Sequence, residues 1–97
     1  MNRMRREDWT FLSNHGHVLV ALARDPDART RDVAGVVGIT ERAVQQIVAD
    51  LFEHGYVEKE KVGRRNRYRV IRSSHFRHDL ESGVTLGGFV DLVNDNA

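Results

Sequence analysis

Between Lys61 and Val70 the chain reads KVGRRNRYRV, ten residues that carry five cations. Guanidinium groups at this density suit one chemistry in particular: neutralising the phosphates of a nucleic-acid backbone and displacing the counterions condensed on it. The bland alternative is a solvated, charged hairpin edge that discourages aggregation. The formal net charge of the chain is only +1, but residues 56–77 hold 8 Lys/Arg against 2 Asp/Glu, and residues 78–97 hold 4 acids and no Lys or Arg. A polyanion is steered by local charge, not by the total.

A second set of candidates lies just upstream, in TERAVQQIVADLFEHG, residues 40–55. Val44, Ile47, Val48, Leu51 and Phe52 recur three and four apart and predict a helix with one apolar face. Arg42, Gln45, Gln46, Ala49 and Glu53 fall on the opposite face. A major groove about 12 Å wide accepts one helix whose inserted face is slim and polar. On such a face glutamine pairs bidentately with adenine, arginine reaches guanine or phosphate, and alanine permits close approach. The competing reading has Gln45 and Gln46 as ordinary exposed helix residues and Arg42 paired with Glu41 or Asp50.

Other chemistries have little to stand on. Cysteine is absent, so thiolate metal, redox and disulfide chemistry is excluded. The five histidines stand in HGH at 15–17, at His54 and in HFRH at 75–78, without neighbouring Cys or paired acids. No metal site and no cofactor is expected from them. There is no phosphate loop, no convergent carboxylate pair and no nucleophile beside a base; Ser13, Ser73, Ser74 and Ser82 fall in cap or loop contexts. An enzyme is not expected.

The elements that must position these residues follow from spacing and capping. At 97 residues the chain has room for one core. Residues 1–8 read as a flexible tail. Trp9, Phe11 and Leu12 read as an extended lead-in packed on the body. SNHGHVLVALARDPD predicts a first helix, capped by Ser13 or Asn14 and stopped at Asp25-Pro26-Asp27. TRDVAGVVGIT predicts a second, capped by Thr30, with Val33, Val36 and Val37 as its buried stripe and Gly35 marking a close approach. Thr40 caps the third helix and Gly55 ends it. Thereafter the period changes to two: YVEKEKV and NRYRVI predict strands joined by a turn at Gly63–Asn66, in a register that the sequence leaves open. Tyr68 and Val70 share one face of the second strand, Arg67 and Arg69 the other. In TLGGFVDLV, a short C-terminal helix capped by Thr85 places Leu86, Phe89, Val90 and Val93 on one stripe, expected as a dimer face, with folding back on the first helix as the alternative. The longest apolar run, VLVALA, is too short to cross a bilayer, and the start lacks the apolar core of a secretion signal, so the cytoplasm is the default.

The fold class expected is α+β: a winged helix-turn-helix, with a three-helix core, a C-terminal β-hairpin wing and a short C-terminal helix. GITERAVQQIVADLFEHGYVEKEKVGRRNRYRV resembles the winged helix-turn-helix core of MarR-like and ArsR-like bacterial transcriptional regulators. Gly38, Ile39, Thr40, Val44, Val48, Leu51, Gly55, Tyr56 and Val57 fill the helix pattern, and Gly63, Arg64, Arg65 and Tyr68 fill the wing. WTFLSNHGHVLVALARDPDARTRDVAGVVG is similar to the leading portion of small stand-alone actinobacterial regulators of this type. The resemblance covers residues 9–72 and implies a DNA-binding domain there, with residues 73–97 as an extension for dimerisation. It implies Arg42, Gln45 and Gln46 as groove contacts, Arg64, Arg65 and Arg67 as wing contacts, and Thr30 and Arg31 as phosphate contacts. With Thr40 at the helix start and Lys61 on the wing, these form the expected DNA-binding set. Departures from the pattern are the lack of long terminal dimer helices and of the metal-sensing cysteines.

The functional expectation is a sequence-specific reader of double-stranded DNA, a homodimer and a repressor, with helix 40–54 in the major groove and wing 61–69 on the backbone or minor groove. No membrane partner is expected, and the sequence names no small-molecule effector. The alternative is a winged-helix module that binds a protein of the transcription apparatus, suggested by the acidic tail and by Glu41, Asp50 and Glu53 beside the polar face.

Overall fold

The structure, a computed structural model, describes residues 9–96. The expected tail, residues 1–8, lies outside them. Helix α1 (Asn14–Arg24) begins where Ser13 Oγ accepts from the Gly16 amide, 3.4 Å, and ends at the Asp25 turn. Helix α2 (Thr30–Val37) follows, then α3 (Glu41–Glu53), strands β1 (Val57–Val62) and β2 (Arg65–Val70), a single 3₁₀ turn at Asp79–Glu81, and α4 (Leu86–Asp95). Three helices followed by an antiparallel hairpin make a winged helix-turn-helix of the α+β class.

The helices form one core because their apolar stripes converge. Val18, Leu19 and Leu22 of α1, Val33 and Ala34 of α2, and Val44, Ile47 and Leu51 of α3 are buried together with Val57. Gly38 terminates α2 with φ +87°, where a side chain would be strained, and lets Thr40 open α3 two residues later. Thr40 Oγ1 accepts from the Ala43 amide at 3.0 Å.

Several local expectations need correction. The N-cap of α2 is Arg29, one residue earlier than Thr30, and the Asp32 carboxylate accepts from the Arg29 amide at 3.3 Å. Ala34, not Val36, completes the buried stripe of α2, because Val33, Ala34 and Val37 share the inward arc and leave Val36 78% exposed. Trp9 and Phe11 do not pack on the body and are 78% and 94% exposed; of the lead-in only Leu12 turns inward, beside Gly16. Phe52 is half-exposed at the edge of the α3 stripe, with the Lys59 ammonium 5.1 Å from its ring centroid.

Residues 72–96 fold back onto the three-helix body. Ser74 Oγ donates to the Gly55 carbonyl at 2.6 Å, and the Gly87 amide donates to the Arg72 carbonyl at 2.9 Å. Arg72 then reaches across the start of α4 to Asp91, 2.7 Å away. The stripe expected as a dimer face therefore serves this chain's own core at two of its four positions. Leu86 and Val90 are 1% and 2% exposed, with Phe89 and Val93 half-buried at the flanks. The alternative of folding back on α1 describes those two residues.

The paired glycines of α4 and the lone Gly35 of α2 have opposite packing. A Cβ on Gly87 would lie 3.1 Å from Arg72 Cβ and 3.1 Å from its guanidinium, whereas one on Gly35 would meet nothing within 4 Å. The close approach expected at Gly35 is absent and is found at Gly87 instead. Gly35→Ala should therefore stabilise the free protein by about 0.5–1 kcal/mol through helix propensity. Gly87→Ala should lower stability, because the overpacking cost of about 1–3 kcal/mol exceeds the propensity gain. Thermal melts check both signs, and a Tm that falls for Gly35→Ala refutes the open-space reading.

Candidate nucleic-acid interface

The register, undecided from sequence, is Val57↔Val70, Lys59↔Tyr68 and Lys61↔Asn66 on one face of the hairpin. Glu58↔Arg69, Glu60↔Arg67 and Val62↔Arg65 alternate with them on the other. The loop is two residues, Gly63 and Arg64, so Arg65 and Asn66 belong to β2 and not to the turn. Gly63 supplies the positive φ, +63°, at the first turn position, as a type II′ connection demands. Arg64 therefore stands at the tip.

One groove, about 360 Å³, joins the hairpin to both helices of the helix-turn-helix. Thr30 from the start of α2, Gln45, Ala49 and Glu53 from α3, and Lys59 and Tyr68 from the hairpin line it. The outer face of α3 carries exposed Arg42, Gln45, Gln46, Ala49 and Glu53, as the spacing predicts. The two glutamines differ in their engagements. Gln46 Nε2 donates to Asp50 Oδ1 at 3.2 Å, and Asp50 Oδ2 accepts from His15 Nε2 of α1 at 2.8 Å. Gln45 makes no side-chain hydrogen bond among the described residues. The His15 hydrogen bond, aided by that of Gln46, holds the Asp50 carboxyl below the usual carboxylate range. Asp50 is thus taken by His15 and Gln46, and Arg42 has no ion pair with it or with Glu41 among the described residues. Arg31 is likewise exposed and outside every ion pair of the described residues.

The wing arginines are not all loose. Arg67 grips Asp27 in the α1–α2 turn with two hydrogen bonds, Nε to Oδ1 at 2.8 Å and an outer nitrogen to Oδ2 at 3.0 Å. Arg65 reaches the same carboxylate once, at 3.3 Å. Asp27 is itself held by its amide, which donates to Asp25 Oδ1 at 3.1 Å. Arg69 pairs across the strands with Glu58 at 3.1 Å, while Arg64 and Lys61 have no ion pair among the described residues. Arg65, Arg67 and Arg69 lie on the hairpin face away from Lys59 and Tyr68. Asp27 is what draws Arg65 and Arg67 to the side of α2.

Its carboxyl stays below the ordinary 3.8, chiefly through the Arg67 hydrogen bond. A depressed carboxylate contributes while the pH is above its unfolded value and is lost as the pH falls through its folded one, so the clamp holds throughout the neutral range. No local pattern in the sequence points to this contact. Asp27 reads as half of a turn signal, and its partners stand 38 and 40 residues away.

Three of the histidines make local hydrogen bonds. His54 Nδ1 lies 3.2 Å from the Asp50 carbonyl, His75 Nδ1 lies 2.9 Å from the Ser82 carbonyl, and His78 Nδ1 accepts from the Leu80 amide at 3.0 Å. Among the described residues no three His, Asp or Glu side chains cluster as metal ligands do, and no helix is long and apolar enough to cross a membrane.

A search of curated proteins finds no match to the chain. The family model described as "Sugar-specific transcriptional regulator TrmB" matches residues 13–74, from the N-cap of α1 to just beyond β2. That span covers all three helices of the core and the wing, and it exceeds half of the chain. The chain belongs to the TrmB family of transcriptional regulators, and its winged helix is that of a DNA-binding protein, not an enzyme.

Proposed function

We propose that this regulator reads double-stranded DNA in a sequence-specific manner, with residues 40–54 in the major groove and the wing, 61–69, on the backbone or minor groove. The observation that carries the reading is the shared groove: Thr30, Gln45 and Lys59 line one surface, so a single duplex meets the start of α2, the outer face of α3 and the hairpin together. Gln45 reads a base edge, with Arg42 and Ala49 beside it. Thr30, Arg31, Thr40, Lys61, Arg64 and Arg65 meet phosphates. Arg67 serves as a strut, because its two-pronged grip on Asp27 is the shorter and better satisfied of the two.

The protein acts as a homodimer and a repressor, by likeness to MarR-like and ArsR-like regulators. Two-fold pairing places recognition helices about 34 Å apart on half-sites one helical turn from each other. The domain proper is 9–72. Leu92, 65% exposed, and Val93, in an apolar groove with Val20 and Val36, are what α4 leaves for a second copy.

The test is a gel shift with random duplex at low salt, followed by selection from a random pool. The expected result is non-specific binding at about 10⁻⁴–10⁻⁶ M and a selected site with two-fold symmetry. No shift at tens of micromolar instead supports the protein-binding alternative.

A further inference from the structure

Helix α3 has two flanks, and only one faces the wing. Gln45, Ala49 and Glu53 line the groove shared with Lys59 and Tyr68. Gln46, Asp50 and His54, each four residues from the next, run down the other side, where His15 of α1 reaches Asp50. There His15, Asp50, His54, Tyr56 and Arg77 line an open pocket of about 370 Å³. A major groove is bounded by two phosphate backbones, so a helix seated in it presents one flank to each strand.

Asp50 holds both imidazoles, by different atoms. His15 Nε2 is 2.8 Å from its carboxylate, and His54 Nδ1 is 3.2 Å from its main-chain carbonyl. An ionised carboxylate and a carbonyl only accept, so in each ring that nitrogen carries the proton. The other nitrogen of each neutral ring is then a lone pair, and neither has a hydrogen bond among the described residues. A phosphate diester is itself an acceptor only. It gains nothing from either ring until that ring takes up a second proton and offers a charged N–H donor. Histidine is the side chain that ordinarily makes this change between pH 5 and 8.

The charges that face the two rings sum differently in the two states. Asp50 comes from α3 and Arg77 from the segment after β2, Tyr56 adds a phenol, and Glu81 and His78 stand in the adjoining cleft that His15 and Arg77 also line. With neutral rings the acids Asp50 and Glu81 outweigh Arg77, and the flank repels a backbone. With His15 and His54 charged the balance reverses, before His78 is counted. His15 and Arg77 are both exposed, so a phosphate reaches them without rearrangement of the core.

We infer that this flank is a second phosphate site, in which protonated His15 and His54, with Arg77, take the backbone of the strand opposite the wing. The site rests on α3 lying in the major groove, and it adds proton uptake to that binding. At neutral pH the flank keeps back, and Gln45 and the wing carry the complex. As the pH falls the flank closes on the second strand, and DNA favours the protons by the same factor by which protons favour DNA.

The test measures affinity of the full chain for a random-sequence duplex at pH 6 and at pH 8, each across a salt series. Asp50 and Asp27 keep their charge at both values, since each titrates below the ordinary 3.8. The expected result is binding about tenfold tighter at pH 6, with a salt slope steeper by about 0.9 for one added phosphate. His15→Gln combined with His54→Gln should remove both differences and leave affinity at pH 8 unchanged, while His17, His75 and His78 titrate in the variant as in the parent. Arg77→Ala, at an exposed side chain, should weaken binding more at pH 6 than at pH 8. Arg64→Ala should flatten the slope by about 0.9 at both values. Equal affinity at the two pH values, a difference that survives the double variant, or a slope that does not change with pH overturns this site and leaves the wing contacts standing. Absence of binding at either pH ends the DNA reading itself, and this site with it.

Discussion

Replacing Arg64, Arg65 and Arg67 together by alanine will flatten the slope of log affinity against log salt by about 1.8. Each phosphate contact contributes about 0.9 to that slope on duplex DNA. The three arginines therefore count as two contacts, Arg64 and Arg65. Between 50 and 200 mM salt a slope change of this size amounts to about a tenfold difference in how much affinity is lost. Arg67 is withheld because its guanidinium already has two bonds to Asp27, at 2.8 and 3.0 Å, while Arg65 has one at 3.3 Å. The pair is solvent-exposed, with Arg65 and Asp27 side chains 45% and 46% accessible, so a phosphate that arrives with its own field readily draws Arg65 across.

A companion variant separates the strut from the contact. Asp27→Asn removes the charge that detains Arg67, and the slope should steepen by about 0.9 as a third guanidinium reaches the backbone. A flattening of about 2.7 in the triple variant would return Arg67 to the phosphates and make Asp27 a mere resting partner. An unchanged slope would remove the wing from the interface altogether.

What the sequence made legible, and what it did not, divides along the range of the forces involved. The helices are local objects. Thr40 and Thr85 cap α3 and α4 through bonds to amides three residues on, and Val44, Ile47 and Leu51 repeat at helical spacing, so both features stand in a short window. The hairpin's face assignment followed from period two in the same way, but its register did not. Loops of two, three and four residues share the same alternation, and only Gly63 with φ +63° in a two-residue turn decides among them. Errors arose wherever a residue's environment is made by a distant segment. Val36 has the right residue type for a core, yet the arc of α2 that meets α1 and α3 passes through Ala34. The paired glycines of α4 read as weakness until Arg72 is seen lying across Gly87. The Asp27 clamp and the His15–Asp50–Gln46 chain join residues 38, 40 and 35 positions apart, and charge patterning along the chain has no term for such pairs.

That last chain has a consequence for base reading, because it makes Gln45 and Gln46 unequal although the sequence sets them side by side. Bidentate recognition of adenine needs the amide nitrogen and oxygen of glutamine presented together in one plane. Gln45 lies in the groove with Thr30, Lys59 and Tyr68, and its amide is free to turn. The Gln46 amide is oriented by Asp50 at 3.2 Å, and Asp50 by His15 at 2.8 Å, so turning it toward a base breaks an existing bond. Gln45→Ala should therefore reduce the preference for the selected operator over random duplex by about ten- to a hundredfold, the worth of a good bidentate pair. Gln46→Ala should change that preference by less than about threefold, since it gives up a base contact already opposed by Asp50. Competition binding against both DNAs at one salt concentration gives the ratio directly, and wing variants measured alongside should weaken both DNAs equally, because phosphate contacts position and do not specify. If the larger loss follows Gln46, α3 enters the groove rotated toward α1, and the His15–Asp50 pair stands at the DNA surface. If neither substitution alters the ratio, α3 does not read bases.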